Sequence, residues 1–311
     1  MKRALVVLAL AGASFAAAPA ASADVLVRFE LNDALVKGRA LPGVEVSVAR
    51  ASGGGAVAAG KTGPDGRFET RLAPGSYEIS YRLAGYVPYT SEATEIREDG
   101  QLLTVSLSPM VEATSAASRD VRVILNWGSR QDQVRDADSH LACACAAADR
   151  HVYFKNRTHQ GQGHKVELDV DDTDWGGPET ITITQPASGD YSYWVHDYSG
   201  PPALLGASDL VVRVLVGSQP LGEFRVFKGL KARVWRPFKA IHVAADGSAG
   251  VVRWSEDQIA EGQDLARPPE QGPDPLPGLP PWLITAACPI AALLVGLVIA
   301  RRFPRRHHRR R

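Results

Sequence analysis

The chain has 311 residues, room for one to three domains, with an ordinary hydrophobic content of 45% and charged content of 22%. Its net charge of +1 conceals an asymmetry, because Lys2, Arg3 and seven C-terminal arginines come with no neighbouring acid. Residues 24–281 carry 26 basic against 34 acidic side chains, a net of −8 with His neutral, which argues against a nucleic-acid partner and suits a cation.

Met1–Ala23 runs from Lys2 and Arg3 through ALVVLALAGASFAAA to small residues before Asp24, the pattern of a secretory signal peptide. The block 24–110 follows. There VLVRFEL, VEVSVAR, GRFETRL, SYEISYRL and LLTVSLS alternate apolar and polar side chains, the period of strands with one buried face. LPG, SGGG, TGPDG and APGS supply turns between them. Roughly seven short strands predict a small antiparallel sandwich.

GRALPGVEVSV (38–48), TGPDGRFETRLAPGSYEI (62–79) and LAGYVPY (83–89) resemble the carboxypeptidase regulatory-like domain, a transthyretin-like sandwich. Part of the pattern has its own physical reason. Gly66 after Asp65 serves a positive-φ turn position, and Pro74-Gly75 sets another turn. The resemblance implies a non-catalytic module that spaces or supports its neighbour.

Residues 111–119, VEATSAASR, are small and polar and read as a linker. A second all-β block, again a sandwich, is expected over 120–255. Its strand candidates are VRVILNW, HVYF, KVELDVD, ETITIT, YSYWVHDY, DLVVRVLV, GEFRVF, ARVWRPFKAIHV and GVVRW. DADSHL (136–141), LDVDDTDWGGPETITI (168–183) and YSYWVHDYSG (191–200) resemble the extracellular domain of YfaP-like bacterial proteins. That resemblance implies an exported fold and no known activity. The sequence departs from it at Ala137, where Leu is usual, and in ACACAAAD, which replaces a Pro/Gly loop.

Residues 256–281 are Pro-rich and read as a semi-stiff stalk. Trp282–Ala300 has no charge in 19 residues. As a helix it would reach roughly 28 Å, enough to span the hydrocarbon of a bilayer. The arginine-rich tail 301–311 belongs on the cytoplasmic side, against anionic lipid. A single-pass membrane anchor is the leading reading, and a clipped C-terminal sorting signal is the alternative.

The chemistry concentrates in the second block. Asp136, Asp138, Asp169, Asp171 and Asp172 are the candidate metal ligands, because hard oxygens in an exported protein suit calcium. The competing reading has Asp172 and Asp174 capping a turn while Asp169 and Asp171 face solvent. Cys143 and Cys145 are a candidate disulfide; with His140 and His151 they are also a candidate transition-metal set. Tyr191, Tyr193, Trp194 and His196 are candidate binding residues if their strand shows an aromatic strip to a sugar. Packing in the core is the alternative for the same residues. No G-x-S-x-G or H-E-x-x-H pattern is present, and no catalytic residue is assigned. The expected function is therefore a non-enzymatic binding or structural protein of a bacterial cell envelope, with calcium as the candidate ion of its second domain. Its partner would be the membrane together with an envelope protein or glycan. A metal-dependent hydrolase using the Asp and His clusters is the alternative.

Overall fold

The computed structural model describes residues 23–255 apart from 129, 131, 132, 144–150, 162 and 203. The signal peptide, stalk, membrane helix, basic tail and Cys145 lie outside the described residues. No helix among the described residues is long and apolar enough to cross a membrane. The described chain is all-β, its helical elements being the short turns Ala116–Arg119 and Leu205–Ala207.

The first block contains β1 (Val25–Asp33), β2 (Glu45–Arg50), β3 (Ala56–Lys61), β4 (Arg67–Leu72), β5 (Gly75–Arg82), β6 (Tyr89–Ile96) and β7 (Gln101–Leu107). They form two sheets, ordered β4-β1-β7 and β3-β2-β5-β6. The expected antiparallel pattern fails at one pair, because β1 and β7 run parallel. Val27, Phe29 and Leu31 of one sheet meet Val46, Val48, Tyr77, Ile79 and Tyr81 of the other in a shared core. Gly66 has φ +74, and a Cβ there would sit 2.7 Å from the Leu31 carbonyl oxygen, so the turn requires glycine.

The second block contains β8 (Val121–Asn126), β9 (Ala137–Cys143), β10 (His151–Val152), β11 (Thr158–Gln160), β12 (Lys165–Val170) and β13 (Glu179–Thr184). It continues with β14 (Gly189–Asp197), β15 (Val211–Val216), β16 (Gln219–Arg225), β17 (Val234–Trp235), β18 (Ala240–Val243) and β19 (Ala249–Val252). One sheet is ordered β11-β12-β13-β8-β15-β16; the other is β10-β9-β14-β18-β19, with β17 also paired to β14. Val123, Leu125, Ile181, Tyr193, Val212 and Phe238 fill the space between them. The stretch expected as a single strand, ARVWRPFKAIHV, is two, since Pro237 cannot donate to a ladder and separates β17 from β18.

Strand β8 is buried along its whole length. Val121, Val123 and Leu125 face the core. Arg122, Ile124 and Asn126 face the first block instead. Arg122 donates to Ser108 Oγ and the Pro109 carbonyl, each at 3.0 Å, and Asn126 donates to Ser106 Oγ at 3.0 Å. Ile124 and Leu215 pack with Ala34 and Val87 in a small apolar cluster. The two sandwiches thus share a buried, hydrogen-bonded junction.

Candidate metal centre

The DADSHL stretch, absent from the predicted strands, forms β9 beside β14. Ala137, Leu141 and Cys143 point into the core. Asp138 and His140, two residues apart, share the opposite face, as the pleat requires. In the antiparallel register His196 lies opposite Asp138, and Trp194 lies opposite His140.

Glu179 starts β13 on the same parity as the core residues Ile181 and Ile183, and it is wholly buried. It reaches β9, where its Oε2 accepts a short hydrogen bond from the Ser139 backbone N–H. Ligand oxygens of Asp138, Asp171 and Glu179 lie within 4.8 Å of one another. Among the described residues, Asp138 Oδ2, Asp171 Oδ1 and Glu179 Oε1 are buried with no hydrogen-bond partner.

Burial, and then the neighbouring charge of Asp138, push the Glu179 carboxyl well above the usual carboxylate range. Asp138 is also raised, chiefly by burial, with His196 opposing. Carboxylates this close repel one another unless a cation lies between them. The donors are all hard oxygens, three carboxylates can supply up to six of them, and buried acceptors are left over. That set fits calcium better than a soft metal.

The predicted metal ligands therefore divide. Asp138 and Asp171 come together, and Asp136 stands beside them; burial and the Asp138 and Asp171 charges push it up to about 6. Asp169 does not join them. The β12–β13 register shifts between Leu168 and Val170, and β12 ends at Val170. Asp169 is left near Thr182 and Arg122, with burial raising it to about 6. Asp171, beyond the strand, is free to turn toward Asp138 and Glu179. Its Oδ2 is 3.6 Å from Arg157, and Asp172 is 3.5 Å from Lys37 of the first block. Glu179 was missed by the sequence reading. The available signal was a lone carboxylate on the apolar parity of ETITI, where a charge is unexpected unless it is paired or bound.

The aromatic strand also divides by face. Tyr191 and Tyr193 are fully buried in the core, their hydroxyls bonded to the Ala187 carbonyl at 3.0 Å and to Ser139 Oγ at 2.8 Å. Neither can stack on a sugar, which corrects the expectation of an aromatic strip at those two positions. Trp194 and His196 lie on the other face. Trp194 is buried against His140 and His151, ring centroids 5.2 and 4.9 Å away. His140 Nδ1 and His151 Nε2 are 2.8 Å apart. Burial lowers the two imidazoles to about 3 and about 4, so both are neutral near pH 7. Cys143 is buried and disulfide-bonded.

The first block's two sheets, parallel β1–β7 pair and glycine turn decide one assignment. Residues 32–108 match the family model of the carboxypeptidase regulatory-like domain. In this regulatory-like domain Tyr86 of the LAGYVPY motif donates to buried Asp33 at 2.7 Å, tying the β5–β6 connection to the end of β1. The match ends at residue 108, and the YfaP-like resemblance of 120–245 rests on its motifs alone.

No curated protein matches the chain. Among solved structures it is similar to the unknown function protein SAV2460, at 17% identity and TM-score 0.34, covering 46% of this chain and 93% of that one. It is similar to the Bacillus anthracis TIE protein at 15% identity and TM-score 0.25, covering 66% of this chain and 32% of that one. It is also similar to BcpA, the major pilin subunit of Bacillus cereus, at 8% identity and TM-score 0.25, covering 75% and 93%. At scores this low the likenesses carry no argument about this chain.

Proposed function

We propose that the chain is a non-enzymatic, membrane-anchored extracytoplasmic protein of a bacterial cell envelope. In this reading its second sandwich is held in its binding-competent form by calcium at Asp138, Asp171 and Glu179. One observation carries the calcium reading: a fully buried Glu179 whose Oε1 has no partner among the described residues, facing two further carboxylates. Asp136 would complete the oxygen set. The regulatory-like domain would serve as a packed support, and the binding partner would be an envelope protein or glycan. The export and anchoring readings rest on the sequence of 1–23 and 282–311.

The hydrolase alternative needs a metal with an open position in a cleft and a base within reach. Cavities of about 300 and 700 Å³ lie at the junction of the sandwiches, and neither is lined by Asp138, Asp171 or Glu179. The burial of Asp138 and Glu179 favours a structural ion. The test is a thermal melt of the detergent-solubilised full-length chain with calcium and then with chelator. The reading expects a rise of several degrees with calcium and its disappearance in Glu179→Gln. Identical melts with and without calcium would overturn the calcium reading.

A further inference from the structure

We propose that Asp138, His140 and His196 form a second metal site, for a divalent transition metal of the zinc class, on the β9–β14 sheet face beside the carboxylate group. The site does not depend on the calcium reading, although Asp138 belongs to both groups.

The geometry comes from sheet register. Asp138 and His140 lie two apart on β9, so their side chains rise from the same face. His196 of β14 is directly opposite Asp138, which closes a triangle of three donors on that face. One ligand atom from each lies within 4.8 Å of the other two, and Asp138 Oδ2 is 4.0 Å from His196 Nδ1. Two imidazoles and one carboxylate form a donor set used by zinc and related borderline metals.

Two further observations point to a ligand. Asp138 Oδ2 and His140 Nε2 are both buried and, among the described residues, without a hydrogen-bond partner. His140 is 8% exposed and Asp138 3%, so water cannot readily satisfy either. The contact with His151 also admits the tautomer that a metal needs. If His140 Nδ1–H donates to His151 Nε2, the lone pair of His140 falls on Nε2, the atom left free for a metal. A ligating histidine is usually oriented by an acceptor on its other ring nitrogen, and His151 Nε2 would take that place here. Trp194 and Tyr153 stack against the same pair, with Tyr153 centroids 5.3 Å from His140 and 4.3 Å from His151, and fix both rings. Cys143, a candidate for a disulfide or alternatively for a transition-metal set, is disulfide-bonded and takes no part.

The experiment is a Co²⁺ titration of the tag-free, full-length chain in detergent, read by visible absorption, with Zn²⁺ competition. The expected result is a saturable d–d band displaced by Zn²⁺. His196→Ala and His140→Ala should each weaken binding at least about tenfold, and His151→Ala should weaken it by a comparable factor through the lost orientation of His140. The tail histidines remain in every variant, so their contribution cancels in the comparison. Glu179→Gln should keep the band while losing the calcium-dependent melt, which separates failure of this site from failure of the calcium reading. Absence of the band, or a band unchanged in both His140→Ala and His196→Ala, overturns the proposal. If His140→Ala does not fold, X-ray absorption of the Zn²⁺-loaded native chain decides. Imidazole nitrogen scatterers at about 2.0–2.1 Å support the site, and a shell of oxygens alone overturns it.

Discussion

Arg213, on β15, places its guanidinium 4.2 Å from the centre of the Tyr89 ring, on β6 of the regulatory-like domain. The same guanidinium donates to the Ser106 carbonyl and lies 3.4 Å from Asn126 Oδ1. One buried cation therefore contacts both sandwiches at once. Its charge is tolerated because an aromatic face and fixed carbonyl oxygens replace water.

Arg213→Leu should loosen this junction. The change deletes a desolvated cation–π contact and a charge-assisted hydrogen bond, together worth about 2–4 kcal/mol, and leaves the Ser106 carbonyl unpaired. Calorimetry of the full-length chain should show a lower melting temperature or a split of one transition into two. A single unshifted transition would mean that the junction contributes little to stability.

Glu179→Gln should change stability in opposite directions with and without calcium. Glutamine keeps an oxygen for the Ser139 N–H and stays neutral beside the other carboxylates without having to hold a proton. In chelator the variant should therefore melt higher than the native chain. With calcium present it should melt lower, because the ion loses a buried ligand. A change of about 1 kcal/mol corresponds to roughly 2–4 °C in a protein of this size, so both signs can be read in a melt.

The carboxyls raised in the folded state predict the pH dependence of the calcium-free protein. Asp136 and Asp169 are each raised to about 6 from an ordinary 3.8, so the folded chain binds protons that the unfolded chain has released. Stability then falls as pH rises from about 4 through about 6, because the charges are costly only when folded. In chelator, the melting temperature contributed by these groups should be higher at pH 5 than at pH 7. Calcium should flatten or reverse the slope, since it replaces protons, and its apparent affinity should fall as pH drops through 6. Melts across pH 4–8 with and without calcium check both signs.

Period-2 alternation made most strands legible, since each buries one face. β3 escaped because AVAAGK is small and nearly uniform, and β9 escaped because Ser139 interrupts its apolar parity. The parallel β1–β7 pair is invisible to alternation, which reports faces and not partners. The candidate site was half legible for the same reason. Asp138 and Asp171 stood out as acids in acid-rich stretches. Glu179 entered only through tertiary packing, and the register shift after Leu168 moved Asp169 away. The histidine face needed the β9–β14 register, which sets His196 opposite Asp138 from residues 58 positions apart.

Gly177→Ala should couple these parts through a single methyl group. Gly177 has φ +75, and a Cβ there would lie 2.6 Å from Trp127 Cζ3 and 3.1 Å from the Leu125 carbonyl oxygen. Trp127 is buried, so its ring has little room to retreat, and a positive φ strains alanine even where there is space. The combined cost is about 2–4 kcal/mol. Trp127 Nε1 donates to the Arg135 carbonyl at 3.1 Å, just before Asp136 and Asp138, while Gly177 lies two residues before Glu179. Pushing Trp127 aside therefore disturbs the turn that delivers Glu179 and the segment that delivers Asp138. The variant should melt lower in chelator and also gain less from calcium than the native chain. Gly163→Ala is the comparison: its φ is +76, but nothing lies within 4 Å of the added Cβ. That variant should pay only the backbone strain and keep the full calcium response, and equal losses in both variants would show that the Trp127 contact does not position the site.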